Sequence, residues 1–346
     1  MSQTATFKCP SCGGYLEFDP EGQRFLCPYC GASFNEDEIH QQSEKKEEAA
    51  EQAVPSGSLR SYHCQMCGAE IITDDTTAAT RCYYCHNPVV LTDRLTEEFK
   101  PDGVIPFQLD KKEAEEKFRQ FVKSKKFIDP AFFTPQQLED FSGVYYPYWF
   151  ADVEGEATFA GEGTKVSVAT MPKQTVTTTR FFKVEREGKL SFRNIVRKAL
   201  TKADRKLSDG VHPYNTDEMK PFAMGYLSGF LAEKRDVASS EVEPEILSEV
   251  EGYARNMMSQ SNGYNSLRGN TDFRATKTKM KYALLPAWVL TYKGGANGEP
   301  FYYMMNGQTG AVCGKLPLKK SKLLVCSLLV GAVVFAVLCV GGAVIW

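Results

Sequence analysis

The stretch CPSCGGYLEFDPEGQRFLCPYCG, residues 9–31, carries a C-x2-C-x14-C-x2-C pattern that predicts a hairpin held together by a metal ion. The stretch CQMCGAEIITDDTTAATRCYYC, residues 64–85, repeats this pattern with every cysteine displaced by 55 positions. Each C-x2-C turn places two thiolates on one side of an ion, and the second turn completes the tetrahedron. The predicted ligands are Cys9, Cys12, Cys27 and Cys30 in the first site, and Cys64, Cys67, Cys82 and Cys85 in the second.

The residues between the cysteines fit a two-stranded hairpin at each site. Gly13 and Gly14 allow the positive φ angles that a tight metal knuckle needs. Residues 15–18 and 24–26 read as two strands, and residues 19–22 (DPEG) predict the turn between them. The second copy keeps this order of features, and both copies resemble zinc ribbons.

The cysteine usage favours metal over disulfides. Eight of the eleven cysteines lie in the C-x2-C pairs. Residues 1–7 contain no apolar signal segment, so we expect the soluble part to stay in the reducing cytosol. We expect two Zn²⁺ ions, one per ribbon, because modules of about 30 residues need the metal to fold. A four-thiolate iron site and a redox-active pair are the alternatives. His63 and His86 are expected to be neighbours of complete all-cysteine sites rather than ligands.

The chain of 346 residues has an ordinary globular composition, with 24% charged and 42% hydrophobic residues. We predict an α+β fold, in which a central mixed domain contains an antiparallel sheet. The predicted parts are a first ribbon at 1–34, an acidic linker at 35–58, a second ribbon at 59–93, the central domain at 95–318 and a transmembrane helix at 323–346.

The central region alternates between strand and helix patterns. Helices are predicted at 111–127, 217–232 and 242–260, and strands at 144–150, 166–170, 175–185, 189–196, 281–292, 300–305 and 311–315. Glycines predict turns at 161–163 and 187–188, and Asn306-Gly307 predicts a hairpin turn. Two segments, YYPYWF at 145–150 and LLPAWV at 284–289, are similar. They are either related strand units of one sheet, each entered through a proline-fixed edge, or alike by chance in aromatic-rich strands.

The sequence contains no catalytic signature, and we predict that the protein is not an enzyme. Only four histidines are present, and they are scattered along the chain. No phosphate-binding loop, GxGxxG turn or HExxH motif occurs. Cys313, on a predicted strand, is expected to be a small buried hydrophobic residue. The sequence leaves open whether the central domain binds a small molecule.

The distribution of charge bears on the partner. Neither ribbon is basic, whereas phosphate binding depends on clustered Lys and Arg, so the ribbons favour a protein partner over a nucleic acid. Residues 165–206 contain twelve basic and three acidic residues. This stretch predicts contact with anionic lipid, acidic protein or nucleic acid, or a solvated face balanced by acidic residues 241–251.

The last 24 residues, 323–346, are uncharged and apolar. As a helix they extend about 36 Å, enough to cross a hydrocarbon core of about 30 Å. Lys315, Lys319, Lys320 and Lys322 precede the run. The positive-inside rule then predicts a single-pass cell-membrane protein with its N-terminal domains in the cytoplasm.

Four features together resemble one bacterial family: the tandem four-cysteine ribbons, VYYPYWFADVEGEATF at 144–159, KYALLPAWVLTYKGG with YYMMNGQTGAVCGKLP, and the terminal helix. These are the C-terminally membrane-anchored proteins with TFIIB-type zinc ribbons of the YdjG kind, often labelled primosomal or helicase-like. The sequence has no helicase motor motif. The resemblance implies a role in membrane-stress complexes with PspA-type and SPFH-type proteins, and a metal role for the eight ribbon cysteines.

These observations predict a non-enzymatic, tail-anchored adaptor that recruits a membrane-associated protein complex through its zinc ribbons. The alternative is a membrane-tethered nucleic-acid-binding protein that uses residues 165–206. A thiol-redox protein or another enzyme is the third hypothesis.

Overall fold

The computed structural model describes residues 4–5, 7–35, 38–39, 60–65, 70–73, 76–82, 87–91, 95, 99–125, 127, 141–201, 205–293, 300–314 and 320–345. Its strands are β1 (Thr4–Ala5), β2 (Glu17–Asp19), β3 (Arg24–Leu26), β4 (Ser33–Phe34), β5 (Arg60–His63), β6 (Glu70–Thr73), β7 (Thr77–Arg81), β8 (Pro88–Leu91), β9 (Gly103–Val104), β10 (Ser142–Met171), β11 (Gln174–Lys198), β12 (Lys220–Pro221), β13 (Leu231–Glu233), β14 (Ser266–Lys293), β15 (Pro300–Asn306) and β16 (Val312–Gly314). Its α-helices are α1 (Lys111–Ser124), α2 (Arg205–Gly210), α3 (Ser239–Met258) and α4 (Lys320–Ile345). The fold class is α+β, as predicted.

Three very long antiparallel strands form the centre of the large sheet, in the order β11-β10-β14. β10 pairs with β14 from Ser142, opposite Val289, to Thr164, opposite Ser266. β10 also pairs with β11 from Tyr148, opposite Lys198, as far as the two-residue turn after Met171. The hairpin of β10 and β11 therefore extends beyond the end of β14.

Shorter strands complete the sheet at the end where β10 begins, away from the turn between β10 and β11. The order β1-β8-β7-β13-β10-β14-β15-β16 runs across it, and β9 pairs with β14 and β12. Most pairs are antiparallel, but β10–β13 and β14–β9 are parallel. Because β7 and β8 come from the second cysteine segment, that segment contributes strands directly to the large sheet.

The two proline-containing segments are direct neighbours in this sheet. Tyr145 lies opposite Pro286, and Pro147 lies opposite Leu284. The segments therefore lie in one sheet, which agrees with the first of the two interpretations, but the proline-fixed edge is wrong because each proline lies inside a long paired strand. The Pro147 carbonyl accepts a hydrogen bond from the Ala199 N–H, and the Pro286 carbonyl accepts one from the Gly307 N–H.

Helix α3 covers one face of the three long strands. Its buried side chains recur every four residues, which gives the helix one apolar stripe: Val242, Ile246, Val250, Ala254 and Met258. Arg186 of β11 donates to the carbonyls of Met258 and Gln260, just where the helix ends. This contact satisfies carbonyls that the last turn of a helix leaves without intrahelical partners.

Helix α1 begins with a capping box. The Asp110 side chain accepts from the Glu113 N–H, and the Glu113 side chain accepts from the Asp110 N–H. Ala114, Phe118 and Val122 form its buried face. The Phe118 ring packs edge-on against Tyr303 of β15, with ring centroids 4.4 Å apart. The predicted helix at 111–127 is confirmed, and it ends at Ser124.

Two predicted turns, at 161–163 and 187–188, are wrong. Both positions lie inside continuous strands, where Gly161 faces Gly269 and Gly188 faces Ala157. A Cβ atom at Gly161 would lie 2.2 Å from the Arg268 carbonyl oxygen and 2.7 Å from the Gly269 Cα atom. Glycine here permits close approach of two strands rather than chain reversal. The predicted strands at 166–170, 175–185 and 189–196 are thus parts of β10 and β11.

The predicted helix at 217–232 is also wrong. Pro221 pairs with Gly103 in the short β12–β9 ladder, and Gly229 has a φ of +93°. Only a 3-10 turn, Met224–Leu227, is helical near the middle of this segment, and all four of its residues are buried. Proline, glycine and packing against the first cysteine module outweigh the local helical pattern.

Most of the remaining predictions for the central region agree with the structure, but β14 begins at Ser266, well before the strand predicted at 281–292, and Cys313 is half-buried rather than buried. The helix predicted at 242–260 is α3, and the strands at 281–292, 300–305 and 311–315 correspond to β14, β15 and β16. Asn306 and Gly307 begin the turn, and the Asn306 side chain accepts from the N–H groups of Gln308 and Thr309. The linker between the cysteine segments lies mostly outside the described residues, and the five-part division of the chain stays a prediction.

Replacing Gly161 with alanine should destabilise the protein by about 1–3 kcal/mol, because the new methyl group meets backbone atoms that cannot move without breaking the ladder. Gly188→Ala is the matched control: nothing lies within 4 Å of its Cβ position. Its effect should be near zero or slightly stabilising. Guanidinium unfolding of the full-length protein in detergent, followed by tryptophan fluorescence, measures both. Equal unfolding midpoints for the two variants would contradict this role of Gly161.

Candidate metal centre

The first cysteine module consists of two knuckles with the same backbone geometry. The Cys9 N–H donates to the Gly14 carbonyl, and the Cys27 N–H donates to the Ala32 carbonyl. The Gly13 N–H donates to the Cys9 carbonyl, and the Gly31 N–H donates to the Cys27 carbonyl, each at 2.9 Å. The φ angles of Gly13 and Gly31 are +75° and +72°. The positive φ predicted at Gly13 is confirmed, whereas Gly14 is not among the positive-φ residues.

The four thiols are arranged as a tetrahedral ion requires. The sulfur atoms of Cys9, Cys12, Cys27 and Cys30 all lie within 4.8 Å of one another. Two distances link the two knuckles: Cys9 Sγ to Cys30 Sγ is 3.7 Å, and Cys12 Sγ to Cys27 Sγ is 3.6 Å. A tetrahedron with Zn–S bonds of about 2.3 Å has sulfur–sulfur edges of about 3.8 Å. These distances are compatible with one Zn²⁺ ion held by the four cysteines.

Electrostatics within the quartet favour a cation at its centre. Burial opposes ionisation of Cys9, but hydrogen bonds from the N–H groups of Cys12 and Ser11 and from neighbouring thiols lower its pKa to about 7. The Gly14 N–H favours the thiolate of Cys12, yet the adjacent thiols of Cys30 and Cys27 raise its pKa to about 12. Ionisation of one thiol raises the free-energy cost of ionising the next. A divalent cation at the centre of the quartet would therefore offset the charge of the thiolates.

The module is joined to the body of the protein by an aromatic contact. Phe18 and Phe25 pack against Tyr226, with ring centroids 5.1 Å and 5.9 Å apart. These rings belong to the main hydrophobic core, together with the buried ligands Cys9 and Cys27. The metal cluster is therefore built onto the central core.

Hydrogen bonds fix the same interface. The Ser228 hydroxyl donates to the Leu16 carbonyl, and the Phe18 N–H donates to the Ser228 carbonyl. Arg81 of β7 donates to the Gly229 carbonyl at 2.7 Å and lies 3.4 Å from the Glu17 carboxylate. The cysteine spacing gives no signal for these residues, since their role depends on packing between distant parts of the chain.

The structure describes half of the second predicted quartet. Cys64 and Cys82 are buried with Tyr62, Ile71 and Val89 in a separate small core. The second C-x2-C turn of this quartet also begins like the knuckles of the first module, because the Cys82 N–H donates to the Asn87 carbonyl. Cys67 and Cys85 lie outside the described residues, as does His86. His63 is exposed on β5.

The basic stretch at 165–206 divides into two parts. Near the body, Arg197 contacts Glu245 and Glu249 of α3, so acidic helix residues balance it. Arg186 binds the carbonyls at the end of α3. Farther out, Lys165, Lys173 and Arg180 lie on the exposed end of the β10–β11 hairpin.

One cavity of the body contains titratable groups, including Arg193, Asp209, His212 and Tyr253. Burial lowers the pKa of His212, and the nearby Asp209 partly opposes this shift. His212 packs edge-on against Tyr148 and Tyr214. These aromatic contacts are typical of a packed core histidine.

The apolar segment at the C-terminal end of the sequence forms helix α4. The stretch Ser321–Cys339 is long and apolar enough to cross a membrane. Within it, large apolar side chains such as Leu328 and Phe335 are exposed. The chain thus has one candidate membrane-spanning helix within the described residues.

The fold and the site define an α+β protein with a four-cysteine cluster that could hold a metal ion and a candidate membrane helix. The chain is 30% identical over 319 residues to "Uncharacterized protein YdjG" of Bacillus subtilis (strain 168), covering 92% of this chain and 91% of that protein. The chain belongs to the family of this protein. No protein-family model matches the chain. No solved structure matches it.

Replacing Cys27 with serine should lower the zinc content by one ion per chain, since serine removes a buried thiolate ligand of the first site. Cys313→Ser is the matched control, because Cys313 lies on β16, outside the quartet. Elemental analysis of the purified full-length proteins measures the metal. An unchanged zinc content in the Cys27 variant would contradict the assignment of the cluster.

Proposed function

We propose that this protein is a non-enzymatic, tail-anchored zinc-ribbon adaptor that recruits membrane-associated protein complexes at the cytoplasmic face of the membrane. The observation that carries the proposal is the combination of a four-thiol cluster with an exposed apolar helix on one chain. The cluster provides a rigid surface, because its buried half is locked into the central core. The helix holds that surface beside the lipid.

We further propose that the second quartet binds a second Zn²⁺ ion. Cys64 and Cys82 are 2% and 0% exposed, the same values as Cys9 and Cys27, the corresponding ligands of the first site. The Cys82 knuckle also forms the same hydrogen bond, five residues along the chain, as the Cys27 knuckle. Cys67 and Cys85 would supply the outer ligands, as Cys12 and Cys30 do in the first site.

The exposed side of the first cluster is suited to contact a partner. Tyr29 lies between the two ligands of the second knuckle, and its side chain is 66% exposed. It packs edge-on against Tyr15, with ring centroids 5.2 Å apart. A rigid, exposed aromatic residue is typical of interface anchors. By resemblance, the partner is a PspA-type or SPFH-type protein of a membrane-stress complex.

The second candidate function is nucleic-acid binding through the basic stretch at 165–206. Lys165, Lys173 and Arg180 favour it, because they are exposed and no acidic residue occurs between residues 163 and 184. Binding that weakens steeply with salt would support it. Thiol-redox chemistry is the third candidate, and thiols that resist alkylation until the metal is chelated would argue against it.

Loss of the second ribbon should abolish recruitment while the protein stays in the membrane. Cys64→Ser combined with Cys67→Ser removes two ligands of this ribbon, and Cys339→Ser is the control within α4. The experiment is crosslinking of the full-length protein in intact cells, followed by extraction from membranes and identification of the captured protein. If the ribbon variant captures the partner equally well, the adaptor function in this form is wrong. Captured nucleic acid that depends on the basic stretch would favour the second candidate.

Removal of residues 323–346 should move the protein from the membrane to the soluble fraction, because this removes nearly all of the apolar length of α4. The measurement is the fraction that remains in the membrane pellet after a carbonate wash at high pH. The full-length protein is the control, and it should stay in the pellet. A truncated chain that also stays there would contradict the anchoring role of α4.

A further inference from the structure

The end of the β10–β11 hairpin is an exposed arm that the proposed adaptor function leaves without a role. We define the arm as residues 165–181, the part of the hairpin beyond the last pair between β10 and β14, Thr164 opposite Ser266. Every residue of the arm is exposed. The arm includes large apolar side chains that are between 40% and 66% exposed: Val166, Val168, Met171, Val176 and Phe181. Val166, Val168 and Phe181 share one face of the hairpin, and Met171 and Val176 lie on the other. Exposed apolar side chains grouped on one face mark an interaction surface.

The arm also presents unpaired strand edges. β11 pairs with β10 alone among the described strands, so its outer edge carries backbone N–H and C=O groups without a neighbouring strand. Threonine and valine, which favour extended structure, make up the run Thr175, Val176, Thr177, Thr178 and Thr179. Such an edge is a template onto which another extended chain can add.

The charge of the arm selects the kind of chain that fits this edge. Lys165, Lys173 and Arg180 are its charged residues, and all three are positive. Lys165 lies over the Phe182 and Tyr264 rings, at 5.7 Å and 5.2 Å from their centroids. We propose that the arm binds an acidic, extended segment of a partner protein, which adds as a strand to the outer edge of β11.

A second copy of this chain fits the edge less well, because its arm carries the same positive charges and no carboxylate. Nucleic acid is also less suitable, since five large apolar side chains accompany three cations. An interface rich in valine, methionine and phenylalanine, with arginine beside them, is typical of protein partners.

The distance of the arm from α4 argues against binding of the arm to the membrane in which α4 is anchored. Gly314, the end of β16, lies opposite Tyr303, which lies opposite Leu290 of β14. This is the end of the sheet where β10 begins. The step from Gly314 to Lys320 spans at most about 21 Å. The tip of the arm lies about 90 Å farther along β10, at about 3.3 Å per residue.

The test measures binding of a labelled nine-residue peptide of alternating valine and glutamate to the full-length protein. The protein is held in nanodiscs of neutral phosphatidylcholine, and fluorescence anisotropy reports binding. In the key variant, an asparagine–glycine turn replaces residues 166–179 and joins Lys165 to Arg180, which already face each other. We expect this variant to lose binding. Binding that survives removal of the arm would overturn the proposal.

Charge is tested separately. Lys165→Glu combined with Arg180→Glu should weaken binding at least about tenfold. Lys189→Glu should not change binding, because Lys189 lies on β11 with Arg180 but outside the arm. A peptide of alternating valine and lysine should bind more weakly than the glutamate peptide. Equal binding of the two peptides would overturn the charge selection.

Strand addition makes one further demand on the peptide. Alternate N–H groups of an added strand point toward β11, so a peptide methylated on one alternate set of amides keeps one free edge and should still bind, whereas methylation of both sets should abolish binding. Binding by the fully methylated peptide would overturn strand addition. The proposal is wrong if the glutamate peptide does not bind and the arm instead mediates binding to another ligand. The alternatives tested are phosphatidylglycerol vesicles, a 20-base-pair duplex and, by sedimentation, a second copy of this chain.

Discussion

The antiparallel ladder between β10 and β14 sets the position of every other part of the body. It is continuous from Ser142 opposite Val289 to Thr164 opposite Ser266, apart from one register shift after Glu154. The short strands attach at one end of this ladder, α3 covers its middle, and the arm continues from its other end. Because side chains alternate between faces along a strand, a slip of one residue would reverse the buried and exposed faces together.

The cysteine cluster is part of this arrangement rather than an appendage to it. Small metal modules usually depend on the ion alone for their folding free energy. Here the module also buries Phe18 and Phe25 against Tyr226, in the core that the sheet shares. A metal ion in this cluster and the apolar contact would therefore stabilise each other: the ion would shape the hairpin that presents the aromatic rings, and the body would hold the hairpin in place.

The sequence predicted the features that depend on local chemistry. The cysteine spacing gave the first cluster, the apolar period gave α1 and α3, and the uncharged run gave α4. The sequence did not predict the length of β10 and β11, because a glycine inside a strand has the same sequence pattern as a turn. The role of Gly161 depends on its contact with Gly269, which lies on a strand distant in the sequence. The sequence did not predict the docking of the first module either, since Tyr226 and Ser228 belong to a segment whose local pattern is helical.

The shared core has a consequence for the lifetime of the protein in a cell. An apo chain would expose the aromatic rings that join the cysteine module to the sheet, and exposed apolar surface is what chaperones and proteases recognise. Loss of one ion would then shorten the survival of the whole body of the protein, including strands far from the thiols. The abundance of this protein would follow the zinc supply, without any separate sensor.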